Sequence, residues 1–343
     1  MTKIFYAVQA TGNGHLSRAT QLYPYLKKYG EVDFFVSGSN STLDYPFPVK
    51  YRSKGWSLHY SKCGGLNYWD VFKSTQPINL YKDAAQLPLK EYDFVINDFD
   101  FITSIACKIQ KVNSVQLGHQ ASFISANTPR PEKKSKVGEI ILKHYAKATN
   151  NIGLHFQKYD DFIFPPVIKN EIIQSNVTNL NHVTVYLPAF QQECLYENFK
   201  KLKEIQFHWF LPEIIQPYTE NNITFYPVNQ ELFNRSLVSC HGLITGGGFE
   251  TPSEALYLGK RLMSIPIQDH YEQQCNAAAL KKMGVVVLEN IDENFARHIE
   301  KWYLSLPTKT SVKANDINST IEFLFDTYPN QSATEYQDSF LFV

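Results

Sequence analysis

Three adjacent glycines, Gly246 to Gly248, run into Thr251-Pro252-Ser253-Glu254. Glycine leaves backbone N–H groups uncovered. Thr at N-cap, Pro at the first helical position and Glu at N3 spell a capping box, which predicts a helix start here. Bare amides and the partial positive charge of a helix N-terminus together make an anion site. Further on, Gln268-Asp269-His270-Tyr271-Glu272-Gln273-Gln274 packs hydrogen-bonding side chains without an apolar spacer. An anion site beside a cluster suited to reading hydroxyls suggests a nucleotide-sugar. Other groups able to do chemistry lie earlier. His15 ends the run Thr11-Gly12-Asn13-Gly14-His15, Arg18 follows one turn later, Asp98-Phe99-Asp100 closes an apolar run, and His119 sits in Leu117-Gly118-His119-Gln120. Cys240-His241 precedes the glycine strand, but no second partner is spaced for thiol chemistry, so Cys240 reads as core.

Positioning these groups requires strand–loop–helix units. Leu243-Ile244 and Leu262 to Ile267 are short apolar runs bounded by turns and read as buried strands, with the helix between them stopping near Gly259. Lys3 to Ala10 reads as the first strand, Leu16 to Tyr29 has helical spacing, and Val32 to Val36 is the next strand. Asp93 to Asn97, Ser114 to Leu117 and Asn151 to Phe156 continue the first half, which ends near Phe164-Pro165-Pro166-Val167. Between these, Val49 to Trp56 reads as a strand, Lys62 to Leu66 as a loop and 67–88 as an aromatic, polar helix lining a cleft. Arg130 to Lys147 carries five lysines around Val137, Ile140, Ile141, Leu142 and Tyr145 and reads as an amphipathic helix, solvated, or else lying on a membrane surface or on the acceptor side. A second alternating set follows from Val183 to Leu187 onwards, and Phe295 to Leu306 and Val312 to Tyr328 close the chain as helices. The expected class is α/β, with two parallel sheets facing across a cleft. The expected divisions are 1–167, 168–310, a helix at 311–329 packing back on the first half, and a loose tail at 330–343.

Composition excludes several classes. The 343 residues carry zero formal net charge, which argues against a general nucleic-acid binder. Cys63, Cys107, Cys194, Cys240 and Cys275 show no metal-ligand spacing, which suggests reduced thiols in a cytosolic protein. No run approaches ~18 apolar residues, the length of a membrane-spanning helix. The dinucleotide fingerprint fails because Ser17 stands where the third glycine would fall, and no phosphate-loop Lys-Ser/Thr is present.

Gly246-Gly247-Gly248-Phe249-Glu250-Thr251-Pro252-Ser253-Glu254-Ala255-Leu256, then Gly259-Lys260, Ile265-Pro266 and Glu272-Gln273-Gln274-Cys275-Asn276-Ala277, resembles the donor-binding region of GT-B glycosyltransferases. The subgroup it most resembles contains the peptidoglycan N-acetylglucosaminyltransferase and the UDP-glycosyltransferases. The Gly12 to His15 loop and the Leu117 to Gln120 loop resemble that subgroup's loops in the first half; residues 40–90 match nothing. The resemblance implies two Rossmann-like domains, donor-binding in the second half and acceptor-binding in the first. It implies that Gly246, Gly247 and Gly248, with Phe249 and Thr251, hold the donor diphosphate through amides. It implies that Glu254 binds ribose hydroxyls, that Glu272 and Gln273 read the sugar with Asp269 and His270 nearby, and that the base stacks near Pro227-Val228-Asn229. As N3 of a capping box, Glu254 would instead bond the N-cap amide.

An inverting transfer needs a base for the acceptor hydroxyl and a means to stabilise the departing diphosphate. His15 is the first candidate base, since imidazole is the side-chain type that changes charge near neutral pH. Asp98 or Asp100, at a parallel strand end where α/β sites gather, would orient it. His119 is the second candidate. Gly12, Asn13, Gly14 and Arg18 form the facing loop, with Arg18 meeting phosphate, an acidic acceptor or a surface carboxylate. Asp98-Phe99-Asp100 also spells the D-x-D of metal-dependent glycosyltransferases, which belongs to a different fold. The expectation is therefore a metal-independent inverting transferase with no cofactor, the nucleotide-sugar, most simply a UDP-sugar, being a co-substrate. The acceptor is undefined, nucleic acid is not a partner, and the location is cytoplasmic, at a membrane face if the lysine-rich helix touches lipid. Two alternatives stand beside it: a non-hydrolysing UDP-sugar 2-epimerase, whose arginine- and glutamate-bearing signature is absent, and a non-catalytic nucleotide-sugar-binding protein.

Overall fold

The computed structural model describes residues 1–10, 12–38, 46–53, 77–306, 310–328, 330, 331 and 336. The start of the first glycine turn at Thr11, the loop expected at Lys62 to Leu66, the first part of the 67–88 helix, and nearly all of the expected tail lie outside them. The first sheet contains β1 (Lys3–Gln9), β2 (Glu31–Ser37), β3 (Val49–Ser53), β4 (Phe94–Asp98), β5 (Val115–Gly118), β6 (Asn150–Leu154) and β7 (Ile163–Phe164). Its order is β3-β2-β1-β4-β5-β6-β7 and every pairing is parallel. The second contains β8 (His182–Tyr186), β9 (Gln206–Leu211), β10 (Tyr218–Glu220), β11 (Ile223–Pro227), β12 (Gly242–Thr245), β13 (Arg261–Ser264) and β14 (Val286–Val287). Its order is β10-β11-β9-β8-β12-β13-β14, parallel except for the β10–β11 edge hairpin.

Both orders reverse direction once, between β1 and β4 in the first sheet and between β8 and β12 in the second. These are the switch points where doubly wound sheets leave a crevice at the strands' carboxyl ends. The central strands are apolar because helices cover both faces: Ile4 to Val8 are fully buried, as are Val183, Val185, Leu243 and Ile244. The helix Asn13–Leu26 turns Leu16, Ala19, Leu22 and Leu26 inward, and these join a buried cluster that also holds Leu243, Phe249 and Leu256 of the second half. The last helix, Ile317–Thr327, packs Ile321 and Leu324 into that cluster and stacks Phe325 on Tyr29 at 4.3 Å.

Several elements differ from expectation. The lysine-rich helix spans only Lys136–His144, because Pro129 and Pro131 stop it extending backwards and Ser135 caps it by accepting from Gly138 N–H. It leaves Val137 and Ile140 exposed and buries Leu142. The capping box does not form. The helix starts at Glu250, Phe249 occupies the N-cap with no side-chain bond, and Glu254 turns to Lys169 instead. Gly259 does end this helix, in the left-handed region at φ 68°.

The Lys136–His144 helix also fastens the halves together. Glu139 accepts from the Tyr271 hydroxyl at 2.7 Å and from Arg130 Nε at 2.5 Å, and it pairs with Lys143 at 3.1 Å. Burial pushes the Glu139 carboxyl up, but these donors outweigh it and hold it down at about 2 from its ordinary 4.5. The folded value is the lower one, so the stabilisation is present above 4.5 and fades as pH falls toward about 2. Glu139→Gln is expected to lower unfolding stability by about 1 kcal/mol at neutral pH, allowing for solvent screening. Urea titrations at pH 7 and pH 3 check this: the gap between variant and parent should shrink in acid, and a pH-independent gap would contradict it.

Candidate active site

His15 stands two residues into the helix that follows β1, and its Nδ1 lies 2.8 Å from Asp98 Oδ1 at the end of β4. Of the two carboxylates expected to orient it, Asp98 makes the contact and Asp100 does not. Asp100 accepts from Thr103 N–H at 2.6 Å as the N-cap of the helix Phe101–Gln110, and from the Ser37 hydroxyl. The residue between them, Phe99, has φ 58°, a strained value for a bulky side chain, and is buried against Tyr145. That turn separates the two carboxylates by task, one bonded to His15 and Arg18 and one to the helix cap.

Arg18 locks Asp98. Its Nε donates to Asp98 Oδ2 at 3.0 Å and its Nη2 to Oδ1 at 2.7 Å, and its Nη1 donates to Glu250 Oε1 across the cleft. It is only 3% exposed, so the surface ion pair considered for it is not what forms. Burial pushes the Asp98 carboxyl up, but Arg18 and His15 outweigh that and hold it below the usual carboxylate range. Asp98 is therefore ionised at neutral pH. Arg18 Nη2 also lies 2.9 Å from His15 Nδ1. A guanidinium nitrogen only donates, and with Nδ1 protonated both groups give their protons to the same carboxylate oxygen. That tautomer leaves the His15 Nε2 lone pair as the one able to take a proton.

His119 is placed differently. Its Nδ1 lies 2.9 Å from Leu154 O and its Nε2 2.7 Å from Asn276 Oδ1, and it is 1% exposed. Asn276 Nδ2 donates to Gly247 O at 3.0 Å, which fixes the amide with its oxygen toward the imidazole. Both ring nitrogens thus face acceptors, and no lone pair points into the cleft. The ring stacks on Phe249 at 3.9 Å and 7°, so this histidine supports the glycine loop. Burial pushes its imidazole down, against the pull of Glu272.

The polar cluster after β13 also turns toward the loop. Gln273 Oε1 accepts from Gly247 N–H and from Ile267 N–H, both at 3.1 Å, so the Gly247 amide is already engaged. His270 caps the helix Tyr271–Lys282 by accepting from Gln273 N–H at 3.4 Å, and Asp269 is exposed. Glu272 accepts from Gln120 Nε2 at 3.2 Å, another contact between the halves.

A cavity of about 380 Å³ opens at the switch points, lined by Asn13, Gly14 and Ser17 from the first half and by Glu250, Thr251 and Glu254 from the glycine helix, among others. Lys169 and Tyr186 complete its floor beside Val228, Asn229 and Gln230. Glu254 is 2% exposed and pairs with Lys169 Nζ at 3.1 Å, while Lys169 also donates to Asn234 at 3.2 Å. Burial pushes the Glu254 carboxyl up despite the lysine. The sequence reading missed Lys169, which follows a proline pair in no recognisable motif, and gave Glu250 no role although it stands inside one. Among the described residues no group of three or more His, Cys, Asp or Glu is placed to hold a metal ion, and no helix is long and apolar enough to cross a membrane.

A family model described as glycosyl transferase family 1 matches residues 2–307. Among solved structures, Arabidopsis thaliana UGT89C1 complexed with UDP is similar at TM-score 0.58 and 12% identity, over 95% of this chain and 94% of that one. Acinetobacter baumannii MurG is similar at TM-score 0.57 and 12% identity, over 96% and 100%. SsfS6 of Streptomyces sp. SF2575, a glycosyltransferase, is similar at TM-score 0.53 and 14% identity, over 94% and 100%. At these identities the likeness shows the GT-B fold. A comparison with curated proteins finds no match.

The geometry separates two neighbouring glycines. A Cβ on Gly247 would lie 2.7 Å from Gln273 O, whereas a Cβ on Gly248 would meet nothing within 4 Å. Gly247→Ala is expected to lower stability by about 1–3 kcal/mol by forcing the loop from the helix. Gly248→Ala should leave the melting temperature of the free protein within a degree or so, as surface substitutions do. Equal melting temperatures for the two variants would contradict this account of the loop.

Proposed function

The chain belongs to glycosyl transferase family 1, and we propose that this glycosyltransferase moves a sugar from a UDP-sugar to a hydroxyl acceptor, with inversion and without a metal. Residues 168–310 serve the donor and residues 1–167 the acceptor. The observation that carries the reading is the His15–Asp98 contact of 2.8 Å, one residue along from the cavity-lining Asn13 and Gly14.

In this reading His15 Nε2 takes the proton of the acceptor hydroxyl as that oxygen bonds to the anomeric carbon. The bond from that carbon to the diphosphate oxygen breaks, and the nucleoside diphosphate leaves with the electron pair. Asp98 keeps Nδ1 protonated and stabilises the imidazolium, as a buried carboxylate does for a catalytic histidine. The leaving diphosphate faces the N-terminus of the helix Glu250–Tyr257, whose end charge and amides offset its developing charge without a metal. Glu254 takes the ribose hydroxyls, with Lys169 holding its carboxylate in place. The UDP bound to the similar Arabidopsis protein supports the choice of base. In this reading Asn276 and Gln273 support the glycine loop, and Glu272, partly exposed, meets the sugar.

A thermal-shift screen with UDP-, dTDP- and GDP-sugars tests the donor assignment, and UDP release with an acceptor panel tests transfer. UDP-sugars should raise the melting temperature of the parent and of His15→Ala, and Glu254→Ala should weaken the shift. His15→Ala should lower kcat by about 10²–10⁴-fold, the usual contribution of a general base. Undiminished turnover in that variant would remove His15 from the role. Conversion of a UDP-sugar with no second substrate would favour an epimerase instead.

A further inference from the structure

All three guanidinium nitrogens of Arg18 are engaged, by Asp98 from the first half and Glu250 from the second. Nε and Nη2 are held by Asp98 from β4, at 3.0 and 2.7 Å. Nη1 donates to Glu250 Oε1 of the second half. The Arg18 side chain is 2% exposed and that of Glu250 is 29% exposed. The arginine is thus fixed by Asp98, and its remaining contact is to Glu250, a residue of the cavity lining.

Glu250 is the first residue of the helix Glu250–Tyr257, directly after the glycine loop, and it lines the cavity. Its carboxylate therefore lies between an arginine N–H and a helix N-terminus, the two features that favour an anion. Gly14 leaves room for it: a Cβ there would stand 2.7 Å from Glu250 Oε2. The charges of the lining are unbalanced. Among its described residues Lys169 is already paired with Glu254, so Glu250 adds a negative charge where a diphosphate must enter.

We propose that Glu250 is a place-holding anion: its carboxylate occupies the position on Arg18 Nη1 and the helix N-terminus that the donor's diphosphate takes, and it swings aside when the donor binds. The proposal rests on the donor reading above. Carboxylate and phosphoryl oxygens suit the same guanidinium geometry, so the exchange moves one side chain and leaves the Asp98 clamp intact. Until the donor arrives, the carboxylate prevents a buried guanidinium edge from lacking a partner. Afterwards, the arginine joins the leaving group to the carboxylate that orients His15. Only an anion can displace Glu250, so the device selects a diphosphate-bearing ligand over its uncharged nucleoside.

Calorimetric titration of UDP and of uridine into the parent protein, Glu250→Gln and Glu250→Ala tests this. Removing the competing charge should tighten UDP binding roughly tenfold in both variants, from the loss of a like charge a few ångströms from the diphosphate. Uridine affinity should not change. UDP binding that is equal or weaker in both variants, with the parent binding UDP, would overturn the proposal and leave the donor reading intact. Absence of binding by UDP, dTDP and GDP to the parent and to both variants would overturn the donor reading and this proposal with it.

Discussion

The buried clamp of Arg18 on Asp98 is the constraint on which the rest of the active region depends. An ionised carboxylate inside a parallel sheet end is tolerable only with a charge partner and hydrogen bonds for both oxygens. Arg18 supplies two of those bonds, and His15 takes a third. Because Asp98 ends β4 and both His15 and Arg18 sit in the first helix, the clamp ties the two strands flanking the switch point. Removing either partner would leave a charge stranded in the core, so the dyad's geometry is part of the fold's stability. The strained turn at Phe99 is held in place by the same arrangement, with Asp98 anchored on one side and the Asp100 helix cap on the other.

The halves share a buried apolar cluster, and polar contacts join them around the cleft. Arg18 reaches Glu250, Gln120 reaches Glu272, His119 reaches Asn276, and Glu139 reaches Tyr271. Lys169, at the connection between the sheets, reaches Glu254. Such polar contacts exchange with water or ligand more readily than the apolar cluster that the halves share. The last helix, packed on the first half through Phe325 and Tyr29, runs the chain back across that boundary.

Much of the architecture was legible in the sequence because parallel strands buried on both faces leave continuous apolar runs such as Ile4 to Val8. The glycine loop and the pairing of His15 with an aspartate were legible for the same reason: strand ends and glycines mark where backbone and side chains meet a ligand. What the residues could not disclose were long-range choices. Glu254 fits a capping box locally, but Lys169, distant in sequence, competes for it and wins. His119 and Gln273 have the chemistry of ligand-readers, yet packing against Phe249 and Gly247 turns them into supports for the loop. Arg18 could be read as meeting phosphate, an acidic acceptor or a surface carboxylate, but its partner Asp98 comes from a strand eighty positions on. The edge strand β10 was missed because three exposed residues carry no alternating pattern.

The central claim is that His15 and Asp98 act as one unit, and a double-mutant cycle on turnover tests it most directly. Asp98→Asn keeps the shape and removes the charge that stabilises the imidazolium. If the pair acts as a unit, adding Asp98→Asn to His15→Ala should cost almost nothing more in kcat, because groups that act together are strongly non-additive. Full additivity of the two losses in kcat would contradict the account and show that Asp98 serves the fold while another group takes the proton.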